Sequence, residues 1–212
     1  MKVKICGITR KKDAGICDIL GVEYIGLNFW QHSKRYIDIE KAKSITASLK
    51  RSKPIGIFVE KDLEYIKTII GQCSLSGIQI YAGESSVFCN EVKKQFPGYM
   101  IIQAFRIKDC LPGNLSDFNA DYFLFDALSD SYMGGTGTTF NWDTLKLLKP
   151  YSYKTFIAGG INAENIEQLL SIINPFAVDI ASGVEISPGI KDVEKIKLLL
   201  SKIKRISNEK SS

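Results

Sequence analysis

One pattern constrains this chain more than any other. A short β-branched or aromatic run is followed by a turn, then by an amphipathic helical stretch, and the unit repeats from end to end. The strand candidates are Val3–Gly7, Tyr24–Phe29, Ile55–Val59, Gly77–Tyr81, Met100–Phe105, Tyr122–Asp126, Thr155–Ala158 and Ala177–Ala181, eight in all. Helical patterning falls between them at Lys11–Leu20, Glu40–Lys50, Asp62–Ile70, Val87–Gln95, Trp142–Leu148, Ala163–Ile172 and Val193–Ile206. Ile166, Leu169, Leu170 and Ile173 show the spacing that places apolar side chains on one helix face. Lys108–Phe118 contains Pro112-Gly113, which predicts a short or irregular helix after strand five.

Two α/β architectures use this alternation, a closed barrel and a doubly wound open sheet. The open sheet usually places a glycine-rich turn after its first strand. Here that strand ends in Cys6-Gly7-Ile8-Thr9, and the glycine-rich turns come after strands six, seven and eight. The late position favours a single (β/α)8 TIM barrel over residues 1–206. The 212-residue length suits the lower size limit of that fold, and 207–212 read as a polar C-terminal tail.

The rest of the composition excludes function classes. Apolar runs such as Ile55–Val59 and Tyr122–Phe125 are too short to cross a bilayer, so no membrane partner is expected. No apolar signal-peptide core follows Met1-Lys2-Val3-Lys4, which makes the cytoplasm the expected location. Five scattered cysteines without a C-x-x-C pair fit a reducing compartment. With His32 as the only histidine and no metal-ligand spacing, zinc is not expected. The net charge of +5 is dispersed or collected at Lys202, Lys204 and Arg205. That pattern does not suit nucleic acid, whereas a small anionic metabolite suits the modest excess.

In a barrel, the chemistry belongs at the C-terminal ends of the strands and in the loops behind them. Strand seven runs into Ala158-Gly159-Gly160-Ile161-Asn162, and strand eight into Ala181-Ser182-Gly183-Val184-Glu185. Backbone N–H groups of such loops, with a helix start behind them, make a phosphate site. Gly134-Gly135-Thr136-Gly137-Thr138, after strand six, is a third loop of this kind. Asp126 follows four apolar or aromatic residues, and desolvation there raises a carboxyl pKa and fits a general acid. Cys6 closes strand one, where cationic surroundings would leave its thiol partly ionised, as a base or a nucleophile. The alternative readings are a capping aspartate and a buried filler cysteine. Strands one and six face each other across an eight-membered ring, so the two groups would act on opposite sides of one phosphosugar.

Weaker candidates surround them. Arg35, in the loop after strand two, suits a carboxylate ligand or a solvated basic loop. His32 reads as surface. Asp179 near the end of strand eight would face the pocket or pair with a lysine, and Glu60 and Glu84 would cap helices.

The series Lys4-Ile5-Cys6-Gly7-Ile8-Thr9, Ser33-Lys34-Arg35-Tyr36, Gly135-Thr136-Gly137 with Phe140-Asn141-Trp142, Ala158-Gly159-Gly160-Ile161-Asn162-Ala163-Glu164-Asn165, Asp179-Ile180-Ala181-Ser182-Gly183-Val184-Glu185 and Pro188-Gly189-Ile190-Lys191-Asp192 resembles the phosphoribosylanthranilate isomerases. The resemblance runs in order from strand one to the last helix. It implies a cofactor-free barrel enzyme of tryptophan biosynthesis that performs an Amadori rearrangement on a small phosphosugar. It further implies Asp126 as general acid, Cys6 as general base, Arg35 on the anthranilate carboxylate and Asp179 near the amine. Phosphate would rest on Gly159, Gly160, Ser182 and Gly183, beside Gly135, Thr136 and Gly137. A monomer or weak homodimer is expected.

Two departures stand out. The family commonly reads Gln-Leu-His-Gly after strand four, where this chain has Gln79-Ile80-Tyr81-Ala82. The loop after strand six often carries a lysine and an aspartate where Thr138 and Asn141 stand. A non-catalytic phosphosugar sensor is the rival class, and retention of Cys6 and Asp126 argues against it. Similar barrel isomerases of the histidine pathway typically rely on two aspartates, whereas strand one here ends in Cys6.

Overall fold

The structure is a computed structural model, and it describes residues 1–81, 83, 85–107, 112–127 and 142–209. The strands are β1 Lys2–Ile5, β2 Tyr24–Asn28, β3 Lys53–Phe58, β4 Gly77–Ile80, β5 Met100–Ile107, β6 Tyr122–Ala127, β7 Thr155–Ala158 and β8 Ala177–Ile180. They close in sequence order into a parallel eight-stranded barrel, with β8 pairing back onto β1. The helices between them are α1 Lys11–Ile19, α2 Ile39–Thr46, α3 Leu63–Gln72, α4 Ser86–Gln95, α5 Trp142–Leu147 and α6 Ile166–Ile172. A short hairpin, β9 Glu185–Ser187 with β10 Ile190–Lys191, precedes the last helix, α7 Val193–Glu209. The expected barrel is therefore the observed one. Between β5 and β6 the described helical structure is a single 3-10 turn, Leu115–Asp117, as Pro112-Gly113 predicts.

Period-two alternation assigns each strand residue to a face. Val3, Ile5, Ile25, Leu27, Ile78, Ile80, Ile101, Phe105, Phe123, Phe125, Ile157, Val178 and Ile180 point outward into the layer under the helices. Tyr24, Ile55, Ile102, Ala104, Leu124, Phe156, Ala158 and Ala177 fill the interior. Tyr24, Tyr122 and Phe176 pack around Phe156 with ring centroids 5.4–5.7 Å from it. These rings plug the N-terminal end of the barrel, so the interior is a packed core and the usable mouth is at the other end.

Some boundaries differ from the sequence reading for local reasons. Helix α2 stops at Thr46 rather than Lys50, because the Asp18 carboxylate accepts from the backbone N–H groups of Lys50, Arg51 and Ser52. Those three donors draw the chain out of the helix and toward β3. Helix α6 begins at Ile166, not Ala163: the Asn162 side chain accepts from Glu164 and Asn165 N–H, and Asn165 accepts from Asn162 N–H, which makes a turn first. At the other end α7 continues through Ser207 to Glu209, so the expected tail starts later than residue 207. Ile166, Leu169, Leu170 and Ile173 are all buried, as their spacing predicts.

Candidate active site

The same alternation selects which side chains reach the mouth. On β1 the inward set is Lys4 and then Cys6, which lies just past the strand but keeps its N–H on Ile180 O at 2.8 Å. On β6 it continues from Leu124 to Asp126, on β5 from Ala104 to Arg106, and on β8 from Ala177 to Asp179. Tyr81 ends β4 in the same way, donating its N–H to Phe58 O at 3.0 Å. The sequence-predicted Cys6, Asp126 and Asp179 are thus brought together at one end of one barrel.

Electrostatics bind this group into one site. Lys4 is fully buried, with Nζ 2.8 Å from Asp179 Oδ2, and its ammonium also meets the Cys6 thiol. Asp179 Oδ1 is buried without a protein donor. Burial first, then the Asp179 charge, push the Asp126 carboxyl up to about 6, against the pull of Arg106 and Lys4. The desolvation expected from its apolar neighbours is therefore present.

Cys6 behaves differently from the expectation. Burial and the Asp179 carboxylate push its thiol above the ordinary value, and Lys4 and Lys191 only partly offset them. The cationic surroundings do exist, but they do not leave a standing thiolate in the free protein. Cys6 remains half-buried, so the sulfur is within reach of the mouth. The Tyr81 phenol is likewise held well above its usual range, by burial and then by Asp126, Cys6 and Asp179.

Arg35 is not a solvated loop residue. Its Nε and Nη2 donate to the buried Glu185 carboxylate at 2.7–3.2 Å. Lys191 Nζ joins the same carboxylate at 2.8 Å and also donates to the carbonyl oxygens of Cys6 (2.6 Å) and Ala181 (3.2 Å). The β9–β10 hairpin thereby ties the ends of β1 and β8 together and fixes one edge of the Arg35 guanidinium. Nη1 is the edge that Glu185 does not use.

The phosphate candidates occupy the neighbouring loops. Gly159 and Gly160 turn the chain after β7 with φ of +99° and +63°, a conformation that favours glycine. Gly183 approaches the first loop so closely that a Cβ there would overlap the Ile161 carbonyl oxygen. Exposed Ser182 opens the 3-10 turn Ser182–Val184 behind β8. The helix start expected behind the β7 loop is displaced to Ile166, and the Asn165 amide donates to Gly160 O at 2.9 Å. Gly135, Thr136 and Gly137, like Glu84, Thr138 and Asn141, lie outside the described residues.

Other expectations resolve simply. His32 is exposed and packs edge-on against Trp30. Glu60 does not cap α3, since Asp62 does, its carboxylate accepting from Tyr65 N–H at 2.9 Å. Lys4, Arg106 and Lys191 were missed as site residues. Parity would have found the first two, each standing two residues from an inward position. No signal in the sequence places Lys191 on the Cys6 carbonyl. Among the described residues no group of His, Cys, Asp and Glu is arranged to hold a metal ion, and no helix is long and apolar enough to cross a membrane.

The comparisons agree with this geometry. The family model described as N-(5'phosphoribosyl)anthranilate (PRA) isomerase matches residues 3–202. A curated N-(5'-phosphoribosyl)anthranilate isomerase of Geotalea uraniireducens is 35% identical over 205 residues, 96% of this chain and 98% of the relative. The crystal structure of phosphoribosyl anthranilate isomerase from Thermus thermophilus superposes with a TM-score of 0.85 at 30% identity, over 97% of this chain and all of the other. A second solved isomerase, in complex with reduced 1-(o-carboxyphenylamino)-1-deoxyribulose 5-phosphate, superposes at 0.75 with 29% identity, covering 94% and 96% of the two chains. A parallel eight-stranded barrel with a cysteine and an aspartate at its mouth, matched from β1 into α7, belongs to the phosphoribosylanthranilate isomerase family, and the chain is an isomerase.

Proposed function

We propose that the protein rearranges N-(5'-phosphoribosyl)anthranilate to 1-(2-carboxyphenylamino)-1-deoxy-D-ribulose 5-phosphate, with Asp126 as acid and Cys6 as base. The observation that carries this reading is the Asp126 carboxyl at about 6, in the same mouth as the Cys6 thiol. The raised carboxyl keeps a protonated fraction near neutral pH that an ordinary aspartate would not, and the thiol accepts a proton when ionised.

The sequence of events follows from those two roles. Asp126 gives its proton to the ribose ring oxygen as the C1′–O bond breaks. The anilino nitrogen lone pair then forms the C=N bond of an open-chain Schiff base. Cys6 thiolate takes the C2′ proton, and the C–H electron pair moves to form the C1′=C2′ bond while the C=N pair returns to nitrogen. The resulting enolamine tautomerises to the ketone. Lys4, touching the thiol, stabilises the thiolate while it lasts. The unpartnered Asp179 Oδ1 is an acceptor for the substrate N–H. Arg35, braced by Glu185, binds the anthranilate carboxylate, and the phosphate rests on the Gly159–Gly160 and Ser182–Gly183 loops.

We place this activity in the cytoplasm, with the other steps of tryptophan synthesis. Complementation tests it. A tryptophan auxotroph lacking this isomerase should grow when given the chain and should fail with Asp126→Asn. Phosphate-ester binding without growth would favour the sensor class instead.

A further inference from the structure

Glu185 opens the β9–β10 hairpin and Lys191 closes it, and the proposed chemistry gives Lys191 no task. Both side chains are buried, that of Lys191 with 1% exposed. An ammonium has three donors. Those of Lys191 meet three acceptors: Cys6 O at 2.6 Å, Glu185 Oε1 at 2.8 Å and Ala181 O at 3.2 Å. Behind the side chain, the Lys191 backbone N–H donates to Asp13 Oδ2 at 3.1 Å, and Arg10 holds the same carboxylate through two bonds of 2.8 Å. An ammonium with every donor spent and its backbone tied down does not swing out to a substrate. What it holds is the residue that carries the sulfur.

Cys6 needs holding because it stands beyond Ile5, the last residue of β1. Its N–H is fixed on Ile180 O at 2.8 Å, and Lys191 fixes its carbonyl, so the backbone is pinned on both sides of the carbon that bears the thiol. The Lys191 charge acts on the sulfur as well. Burial and then Asp179 on β8 push the thiol up, while Lys4 on β1 and Lys191 on β10 pull it down. Tyr81 at the end of β4 and Arg35 in the loop after β2 also face it. Glu185 sets how much of the Lys191 charge is felt, because its carboxylate is shared between Lys191 and Arg35.

We propose that Lys191 is a positioning residue for Cys6: it clamps the carbonyl beside the sulfur and supplies a cation against which the thiolate forms, with Glu185 as the counter-ion that limits it. The base then depends on two cations, Lys4 from within the barrel and Lys191 from the hairpin. Lysine suits this place better than arginine, since three donors radiate from one point rather than lie in a plane. The catalytic meaning rests on the isomerase reading above, whereas the hold on Cys6 does not.

Two measurements keep these apart. In the substrate-free protein, alkylation of Cys6 by iodoacetamide is followed against pH by peptide mass spectrometry, for the wild type, K191M and E185Q. The species alkylated is the thiolate. K191M removes a stabilising cation, so the midpoint should rise and the rate at pH 8 should fall about threefold or more. E185Q frees that cation from its counter-ion, so the midpoint should fall. A hairpin with a structural role alone would loosen in both variants and speed alkylation in both, at an unmoved midpoint. That result would overturn the proposal. So would an E185Q midpoint that stays or rises, which decides the matter even where K191M does not fold. Steady-state kinetics gives the catalytic arm: K191M should lower kcat about 10-fold and leave KM within about twofold, because Arg35 keeps Glu185. A raised KM with unchanged kcat would overturn the positioning of the base. If the wild type turns nothing over, the isomerase reading fails, and the alkylation series still decides whether Lys191 governs Cys6.

Discussion

Lys4 Nζ and Asp179 Oδ2 meet at 2.8 Å between β1 and β8, and both side chains are buried below the Cys6 thiol. A buried pair of this kind contributes little net stability but is costly to break from one side. Lys4→Met should therefore destabilise the protein by about 3–5 kcal/mol in denaturant unfolding, because Asp179 is left charged and unpaired. The double variant Lys4→Met with Asp179→Leu should recover most of that loss, since it replaces the pair by apolar groups. Turnover should stay lost in both variants. A double variant no more stable than the single one would show that the two residues do not act as a pair.

The two proton-transfer groups make a kinetic signature. Asp126→Asn and Cys6→Ser should each lower kcat by about 100-fold or more. In the free protein Asp126 sits at about 6 and Cys6 above its ordinary 9.0, so at neutral pH the pair carries its proton on sulfur. The proposed reaction needs the proton on the carboxyl instead. Both arrangements hold one proton, so their ratio is independent of pH, and the reactive one makes up about one part in a thousand or less. The profile of kcat/KM should be flat from about 6 to above 9 and fall on both sides. Asp126→Asn should lose the acidic limb, and an unchanged limb at about 6 would remove Asp126 from its role.

The same carboxyl links activity to stability. Its folded pKa of about 6 is raised above the ordinary 3.8, so the folded state binds its proton more tightly than the unfolded chain does. The stability this group contributes is fully present below 3.8 and is lost as pH rises through about 6. Asp126→Asn should then be more stable than the wild type at pH 8 by on the order of 2–3 kcal/mol, and nearly equal to it at pH 3.5. Denaturant midpoints at the two pH values check the sign. A variant less stable than the wild type at pH 8 would mean that Asp126 is tied into the fold rather than strained by it.

The fold was legible because strand and helix periods differ and each recurs along the whole chain. Cys6, Asp126 and Asp179 were legible for a related reason: each ends or nearly ends a strand, where barrel geometry gathers side chains. The ionisation of Cys6 was not legible. Nearby lysines were visible in sequence, but the burial and the Asp179 charge that outweigh them depend on packing between β1 and β8. Arg35 and Glu185, 150 positions apart, meet only because the β9–β10 hairpin folds back over the mouth. The shortening of α2 has a similar origin, in the hydrogen bonds from Lys50, Arg51 and Ser52 to Asp18 on α1.

The last prediction concerns the contact between the β7 and β8 loops. A Cβ on Gly183 would overlap the Ile161 carbonyl oxygen and press on Asn162 Cβ at 2.9 Å. The carbonyl belongs to backbone, so no rotamer change relieves the clash, and the two loops must move apart. Gly183→Ala should cost about 1–3 kcal/mol of stability by overpacking. It should also separate the N–H groups proposed to hold the phosphate, raising KM about 10-fold or more, the scale of a lost charged hydrogen bond. Ser182→Ala removes one exposed hydroxyl without moving either loop, so its KM should rise less. Steady-state kinetics with both variants separates the two effects. A Gly183→Ala enzyme with wild-type KM would place the phosphate elsewhere in the mouth.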